Sequence, residues 1–366
     1  MRIVTVLGTR PEVIKLAPVV AALRESPASE CTVISTGQHR EMLDQMLAQF
    51  ELEADVDLAV MQPAQRLADL TADLVRELGA TIAALRPDWV LVQGDTSTTF
   101  CGALAAFYER VPVAHVEAGL RTGDDRAPFP EEANRRLVAR LASLHLCPTP
   151  RNARNLLSEA IAADRVVVTG NTVIDALLWA VERARTLDPP VPRLRPRRVL
   201  LTVHRRESHG DGLLGVCQAV RALARRGDVE IVFPVHRSPA VRELVLPELA
   251  GVDGVQLCEP LDYLELVHLL DSCDLVLSDS GGLQEEAPAL GKPMLVLRST
   301  TERHEAIEAG VARLVGTDPL AIVRSVGDLL DDRAAYVAMA RATNPFGDGR
   351  ASARVVTALE ERSRSS

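Results

Sequence analysis

Residues Leu277–Pro293 read LSDSGGLQEEAPALGKP. The apolar run Leu275–Leu277 has the character of a buried strand and delivers Ser278, Asp279 and Ser280 to its carboxyl end. Gly281 and Gly282 let the backbone turn tightly and approach a ligand with no Cβ in the way. A helix begins near Leu283, and its free N–H groups and positive dipole end face whatever sits at the strand end, which suits a phosphate. Glu285 and Glu286 fall in the first turn, where acidic residues help a helix start. One of the two is placed to accept hydrogen bonds from a ribose diol. Taken alone, the segment is equally well an ordinary strand-to-helix turn.

The same unit recurs outward in both directions. Strand character appears at residues 2–7, 31–36, 56–60, 89–94, 111–116 and 144–148, with helical patterns at 13–24, 65–85, 98–109 and 131–142. The second half continues with strands at 199–203, 230–234, 255–258, 275–277 and 294–297. Near-continuous apolar strands alternating with helices predict parallel sheets covered on both faces. A chain of 366 residues exceeds what one core usually organises. The expectation is an α/β protein of two facing, Rossmann-like, doubly wound domains, residues 1–170 and 171–345, with the active site in the inter-domain cleft at the carboxyl ends of the strands. Thr186–Arg198, TLDPPVPRLRPRR, cannot continue a helix and reads as a linker or exposed inter-domain loop. The tail has helical periodicity, and a helix at about 346–366 is expected to fold back on the first domain.

Composition excludes several classes. A formal charge of −9 argues against non-specific nucleic-acid binding, and 3% aromatics leave few stacking platforms for single strands. The six cysteines are scattered in apolar contexts without a C-x-x-C pair, so they read as free core thiols of a reducing compartment. MRIVTVLG opens directly on a strand with no signal-peptide pattern, and no apolar run reaches membrane-spanning length. The reading is a cytoplasmic protein with no membrane and no nucleic-acid partner.

Polar residues gather where strands end. The first strand runs into Gly8-Thr9-Arg10-Pro11-Glu12, with Lys15 on the opening turn of a helix. Arg10 and Lys15 supply fixed positive charge at a helix start, suited to a diphosphate, or else are surface cations of a capped helix. Asp95 and Glu117 end strands, and Glu131 and Glu132 open a helix after a Pro-rich turn. Carboxylates clustered there would raise one another's pKa, which general acid–base work near neutral pH requires. Asp95 reads equally as a helix N-cap, and the glutamates as ordinary first-turn acids. Val203-His204-Arg205-Arg206-Glu207 follows a buried strand and suits an anionic ligand, and His236-Arg237 repeats that arrangement. No metal-ligand spacing appears, so neither a metal nor another cofactor is expected. The absence of G-x-G-x-x-G after the first strand, of a P-loop and of a G-x-S-x-G elbow weakens dehydrogenase, NTPase and hydrolase readings.

These residues carry a resemblance. GTRPEVIKLAP from Gly8, TGQHREMLDQ from Thr36, QGDTSTT from Gln93, HVEAGLRT from His115 and PFPEEANRR from Pro128 resemble the non-hydrolysing UDP-N-acetylglucosamine 2-epimerases. So do TGNTVIDAL from Thr169, VHRRES from Val203, PVHRSP from Pro234, DSGGLQEEAPALGKP from Asp279 and TTER from Thr300. The resemblance runs from residue 2 to about 317. It implies a glycosyltransferase-B-like fold, a UDP-sugar substrate and interconversion of UDP-GlcNAc and UDP-ManNAc. It further implies anti elimination of UDP, a 2-acetamidoglucal intermediate and re-addition of UDP with inversion at C2. By motif position, Asp95, Glu117, Glu131 and His204 correspond to the catalytic set. Arg10, Lys15, Ser280, Gly281, Gly282, Glu286 and Arg303 correspond to contacts with UDP. Some relatives are activated by a second UDP-GlcNAc, and Gln38, Glu132, Arg206 and His236 match residue types of that allosteric site. A homodimer is expected. The chain departs from many relatives at Leu266, where they carry an aromatic, and at His304, where they carry a proline. At Glu41 and Ala64 it departs from those with Gln and Arg. A glycosyltransferase of similar fold, or a catalytically silent nucleotide-sugar sensor, are the rival classes.

Overall fold

The computed structural model describes residues 1–37, 40–62, 64–126, 128–204 and 210–365. Over those residues the first half runs β1 (Arg2–Leu7), α1 (Arg10–Glu25), β2 (Glu30–Ser35), α2 (Arg40–Gln49), β3 (Val56–Asp57), α3 (Leu67–Leu85) and β4 (Trp89–Gln93). It continues with α4 (Ser97–Tyr108), β5 (Val113–Val116), α5 (Glu131–Leu141), β6 (Leu144–Cys147), α6 (Pro150–Ser158), β7 (Val166–Val168) and α7 (Thr172–Ala184). The second half runs β8 (Arg197–Thr202), α8 (Asp211–Ala224), β9 (Val229–Pro234), α9 (Pro239–Leu249), β10 (Val255–Cys258), α10 (Tyr263–Ser272) and β11 (Leu275–Ser278). Then come α11 (Leu283–Ala289), β12 (Met294–Val296), α12 (His304–Glu308), β13 (Ala312–Leu314), α13 (Pro319–Asp331), α14 (Arg333–Ala340) and α15 (Ala351–Ser365).

The chain divides into two compact units, Met1–Ala176 with Phe346–Ser366, and Leu177–Pro345. Unit 1 holds a seven-stranded sheet in the order β3-β2-β1-β4-β5-β6-β7, and unit 2 a six-stranded sheet in the order β10-β9-β8-β11-β12-β13. Every pairing is parallel. Each unit is thus a doubly wound α/β fold, and in each the strand order reverses once, at β1/β4 and at β8/β11. The sequence explains the layers. All five residues of β4 are buried, as a strand covered on both faces requires. On α3, Leu70, Leu74, Leu78 and Ile82 recur every four residues and form one apolar stripe against the sheet. On α15, Ala351, Val355 and Leu359 are buried, and this helix packs on α1.

The structure corrects the linker expectation. The Pro- and Arg-rich segment before β8 is stitched into unit 2 by its own guanidinium groups. Arg195 donates to the carbonyls of Ala224 (2.8 Å) and Val229 (2.9 Å) and pairs with Asp253 at 2.6 Å. Arg193 pairs with Asp274 at 2.6 Å, and Leu194 N donates to Glu230 Oε2 at 2.8 Å. Glu230 also meets Arg198 at 2.6 Å, with both side chains buried. Proline stops the helix here, but satisfied arginines keep the segment packed. The division between the units falls earlier, inside α7.

Candidate active site

In an open doubly wound sheet, ligands bind beyond the carboxyl ends of the strands where the order reverses. In unit 1 those ends are β1 and β4, with β5 alongside. After β5, Glu117 takes φ +63°, a left-handed conformation costly for a side-chain-bearing residue. Its carboxylate is held on both oxygens: Lys15 Nζ lies 2.5 Å from Oε1, and the Gln93 amide donates to Oε2. After β4, Asp95 pairs with Arg135 at 2.6 Å, and its carbonyl accepts from Asn134 Nδ2 at 2.8 Å. Arg135 reaches on to Glu132 at 2.9 Å; Glu132 is fully buried and also accepts from Thr122 N at 3.1 Å. So of the two adjacent glutamates, Glu132 is the one paired within the protein, with Arg135 and Thr122 N. Glu131 differs: its Oε2 is buried with no hydrogen-bond partner among the described residues. A buried acceptor left unpaired is costly, and sites that bind ligands are where such groups occur.

Thr96, not Asp95, caps α4, accepting from Thr99 N at 3.1 Å, which frees the Asp95 carboxylate from the capping role. Arg10 is exposed at the start of α1, with no ion pair among the described residues. Beneath the loop, His115 Nε2 lies 2.7 Å from the carbonyl of Gly94, whose φ of +76° makes the turn into Asp95. Because a carbonyl only accepts, Nε2 carries the proton. Burial drives the pKa of His115 down to about 4 and that of its register partner His145 down to about 3. Both rings are neutral at ordinary pH.

In unit 2 the corresponding ends are β8 and β11. His204 lies just past β8. Its N–H is 3.2 Å from both oxygens of Asp279, and its Nδ1 is 3.1 Å from Oδ1. Asp279 is fully buried and the imidazole half-exposed. The carboxylate therefore fixes the proton on Nδ1 and leaves Nε2 as the ring's acceptor atom. Past β11, Ser280 and Gly281 are half-buried and Gly282 exposed. A Cβ on Gly282 would meet nothing closer than Glu286 Oε2 at 3.7 Å. The two first-turn glutamates of α11 divide as the pair in unit 1 does. Glu285 is buried and meets Arg303 Nε at 2.5 Å, while Glu286 lies on the glycine side. Thr301 Oγ1 donates to Gln284 Oε1 at 2.6 Å and Gln284 Nε2 to the Ser280 carbonyl at 3.0 Å, tying the Thr300–Arg303 segment to the turn. His236 is exposed and its Nδ1 accepts from Ser238 N at 3.1 Å. Gln38 and Arg206 lie outside the described residues. Among the described residues no three His, Cys, Asp or Glu side chains are grouped to hold a metal, and no helix is long and apolar enough to cross a membrane.

A family model described as UDP-N-acetylglucosamine 2-epimerase matches residues 21–360. The UDP-N-acetylglucosamine 2-epimerase of Salmonella typhimurium is 50% identical over 370 residues, covering 98% of each chain. The chain belongs to the UDP-N-acetylglucosamine 2-epimerase family. A probable epimerase of this kind from Ralstonia nicotianae is 53% identical over 98% of each chain. The crystal structure of the Neisseria meningitidis enzyme bound to UDP-GlcNAc superposes with a TM-score of 0.90 at 45% identity, covering 99% of this chain and 100% of that one. A spinosyn rhamnosyltransferase at 19% identity and a TM-score of 0.60 shares the fold alone.

Within the 2-epimerase family frame, several residues that the sequence reading passed over become part of the site's support. Gln93 and Asp279 stood inside quoted motifs, and each orients a residue that was singled out, Glu117 and His204. Arg135 stood in PFPEEANRR but was masked by the helix-start reading of its neighbours. In the sequence Glu12 is only one residue of the Gly8–Glu12 turn. It is in fact a buried acid whose pKa is raised by desolvation, against the lowering effect of hydrogen bonds from Thr96 and Gly8. Of the departures, Leu266 is half-buried on α10 and His304 is the exposed first residue of α12.

Proposed function

We propose that this chain interconverts UDP-GlcNAc and UDP-ManNAc by elimination and re-addition of UDP. The observation that carries the reading is the set of acids at the strand ends of unit 1, kept in three different settings: Glu117 on Lys15, Asp95 on Arg135, and Glu131 with a buried oxygen still unpaired. Deprotonating a weakly acidic C–H and returning a proton from the opposite face needs carboxyl groups in unlike environments. One carboxylate takes the C2 proton. The C–H electron pair becomes the C1=C2 double bond, and the C1–O pair leaves with UDP in an anti sense. A second acid protonates C2 of the 2-acetamidoglucal on its other face as a UDP oxygen re-attacks C1, giving inversion at C2. Lys15 and Arg10 oppose the diphosphate charge that grows as the C1–O bond breaks. Ser280, Gly281 and Gly282 present main-chain donors to phosphate, Glu286 accepts from the ribose, and Arg303, braced by Glu285, adds positive charge near UDP. His204 offers Nε2 to the leaving oxygen. The chain works in the cytoplasm as a homodimer, and Gln38, Glu132, Arg206 and His236 belong to a second, activating UDP-GlcNAc site.

The test is to run purified protein with UDP-GlcNAc in deuterated water without NAD or metal. UDP-ManNAc carrying deuterium at C2 is expected. Product that keeps its original C2 hydrogen sinks the elimination mechanism, and free ManNAc as the main product moves the chain to a hydrolytic reaction.

A further inference from the structure

Glu12 lies in the first turn of α1 with 1% of its surface exposed. Its Oε2 accepts from Gly8 N at 2.8 Å and Thr9 N at 2.7 Å. Its Oε1 is 2.6 Å from Thr96 Oγ1 and 3.0 Å from Thr99 Oγ1. The two hydroxyls are 3.1 Å apart, and Thr99 Oγ1 is 2.6 Å from the main-chain carbonyl of Gln93. Glu12 thereby joins the loop after β1, which bears Arg10, to the turn after β4, which bears Asp95.

The protons in this cluster can be counted. The Gln93 carbonyl only accepts, so the Thr99 hydroxyl proton is spent there. That leaves the single proton of Thr96 for the three oxygen–oxygen contacts among Glu12, Thr96 and Thr99. With an ionised carboxylate only one of those three contacts can hold a proton, whereas with Oε1 protonated two of them can. With a proton on Oε1, Glu12 donates to Thr96, Thr96 to Thr99 and Thr99 to Gln93, so every hydroxyl donates once. Among the described residues Glu12 makes no ion pair; its hydrogen-bond partners are hydroxyls and main-chain amides, and burial pushes its pKa up. An unpaired charge buried in such a place is expensive, whereas a neutral acid that donates is a known solution.

We propose that Glu12 is held as a neutral carboxylic acid heading the chain Glu12–Thr96–Thr99–Gln93, and that it is a positioning residue for the turn that carries Asp95 and for the Gln93 amide that holds Glu117. The role in turnover rests on Asp95 and Glu117 acting as proposed above; the protonation state does not.

The experiment has two arms. In the first, protein labelled with 13C at the glutamate side-chain carboxyl is compared with Glu12→Gln, and the signal lost identifies Glu12. A protonated carboxyl signal at neutral pH is expected; an ionised one overturns the proposal, whatever the variants do. In the second, Glu12→Gln can both donate and accept, and should keep kcat within about threefold. Glu12→Leu and Thr99→Val break the chain and should lower kcat by about 10- to 100-fold with KM little changed, because misplaced groups lose rate before they lose binding. A Glu12→Gln enzyme as slow as Glu12→Leu overturns the positioning role. Silent Asp95→Asn and Glu117→Gln variants would instead fault the proposed reaction and leave the 13C result standing.

Discussion

The loops after β1, β4 and β5 in unit 1 and those after β8 and β11 in unit 2 occupy equivalent places in two sheets of the same winding, yet they are built differently. Unit 1 places paired charge at its strand ends: Lys15 on Glu117, Arg135 shared by Asp95 and Glu132. Unit 2 presents glycine, serine and one half-exposed imidazole that is hydrogen-bonded to buried Asp279, and it pairs Glu285 with Arg303. Preorganised charge costs no rearrangement when a reaction moves protons. An open glycine turn lets a phosphate approach main-chain donors. On the proposed function, unit 1 carries the acids that move protons at C2 and unit 2 carries the glycine turn that receives phosphate.

The sharpest way to break this contrast is to remove charge from unit 1. Asp95→Asn and Glu117→Gln should each lower kcat by about 10²- to 10⁴-fold while leaving UDP affinity and melting temperature nearly unchanged. Kinetics beside UDP titration calorimetry would check it, and equal losses in both would merge the two roles.

A smaller effect comes from adding one methyl group in each unit. A Cβ on Gly8 would lie 2.1 Å from Thr36 Oγ1 and 2.5 Å from Thr98 Oγ1, so Gly8→Ala must push apart two buried threonines. A loss of about 1–3 kcal/mol in urea unfolding is expected. Gly282→Ala meets nothing within 3.4 Å and should unfold at the wild-type denaturant concentration, yet bind UDP more weakly. A Gly282→Ala protein with normal UDP affinity would remove the turn from the binding surface.

The third difference is acid sensitivity. Both buried histidines with depressed pKas, His115 at about 4 and His145 at about 3, belong to unit 1. Below the ordinary value of 6.5 the unfolded chain takes up protons that the folded rings refuse. Their stabilising contribution is therefore complete above that pH and is lost as pH falls toward 4 and below, by at most about 1.4 kcal/mol per pH unit for each ring. His145 has neither ring nitrogen hydrogen-bonded among the described residues, so His145→Leu should flatten the slope of unfolding free energy against pH. An unchanged slope would place the acid sensitivity elsewhere.

Much of this was legible in the amino acids, for identifiable reasons. Long apolar strands and glycine turns announced both sheets, and β1 and β10 fall at the expected residues. The three-residue strands β7 and β13 were not seen, because edge strands that short carry no periodicity. Residues 186–198 read as a linker because proline speaks loudly in a sequence, while the carbonyls of Ser272, Ala224 and Val229 that Arg193 and Arg195 reach lie some 30 to 80 residues away. The site divides in the same manner. Asp95, Glu117 and His204 could be picked out as strand-end residues, but their partners Arg135, Lys15 and Asp279 are set by which strands are neighbours. Adjacent glutamates look alike in sequence, and only packing separates buried Glu132 and Glu285 from Glu131 and Glu286.

Unit 2 is an insertion within unit 1, whose sheet ends with β7 but whose covering helix α15 is encoded 183 positions after β7 closes, at residue 351 against 168. On a ribosome, the whole of residues 177–345 emerges before the apolar stripe of α15 exists to cover α1. Unit 2 is contiguous and can finish folding as it appears, whereas unit 1 must wait with part of its helix layer uncovered. The order of completion is the reverse of the order of synthesis, and a nascent chain paused near residue 345 would hold a finished unit 2 tethered to an unfinished unit 1.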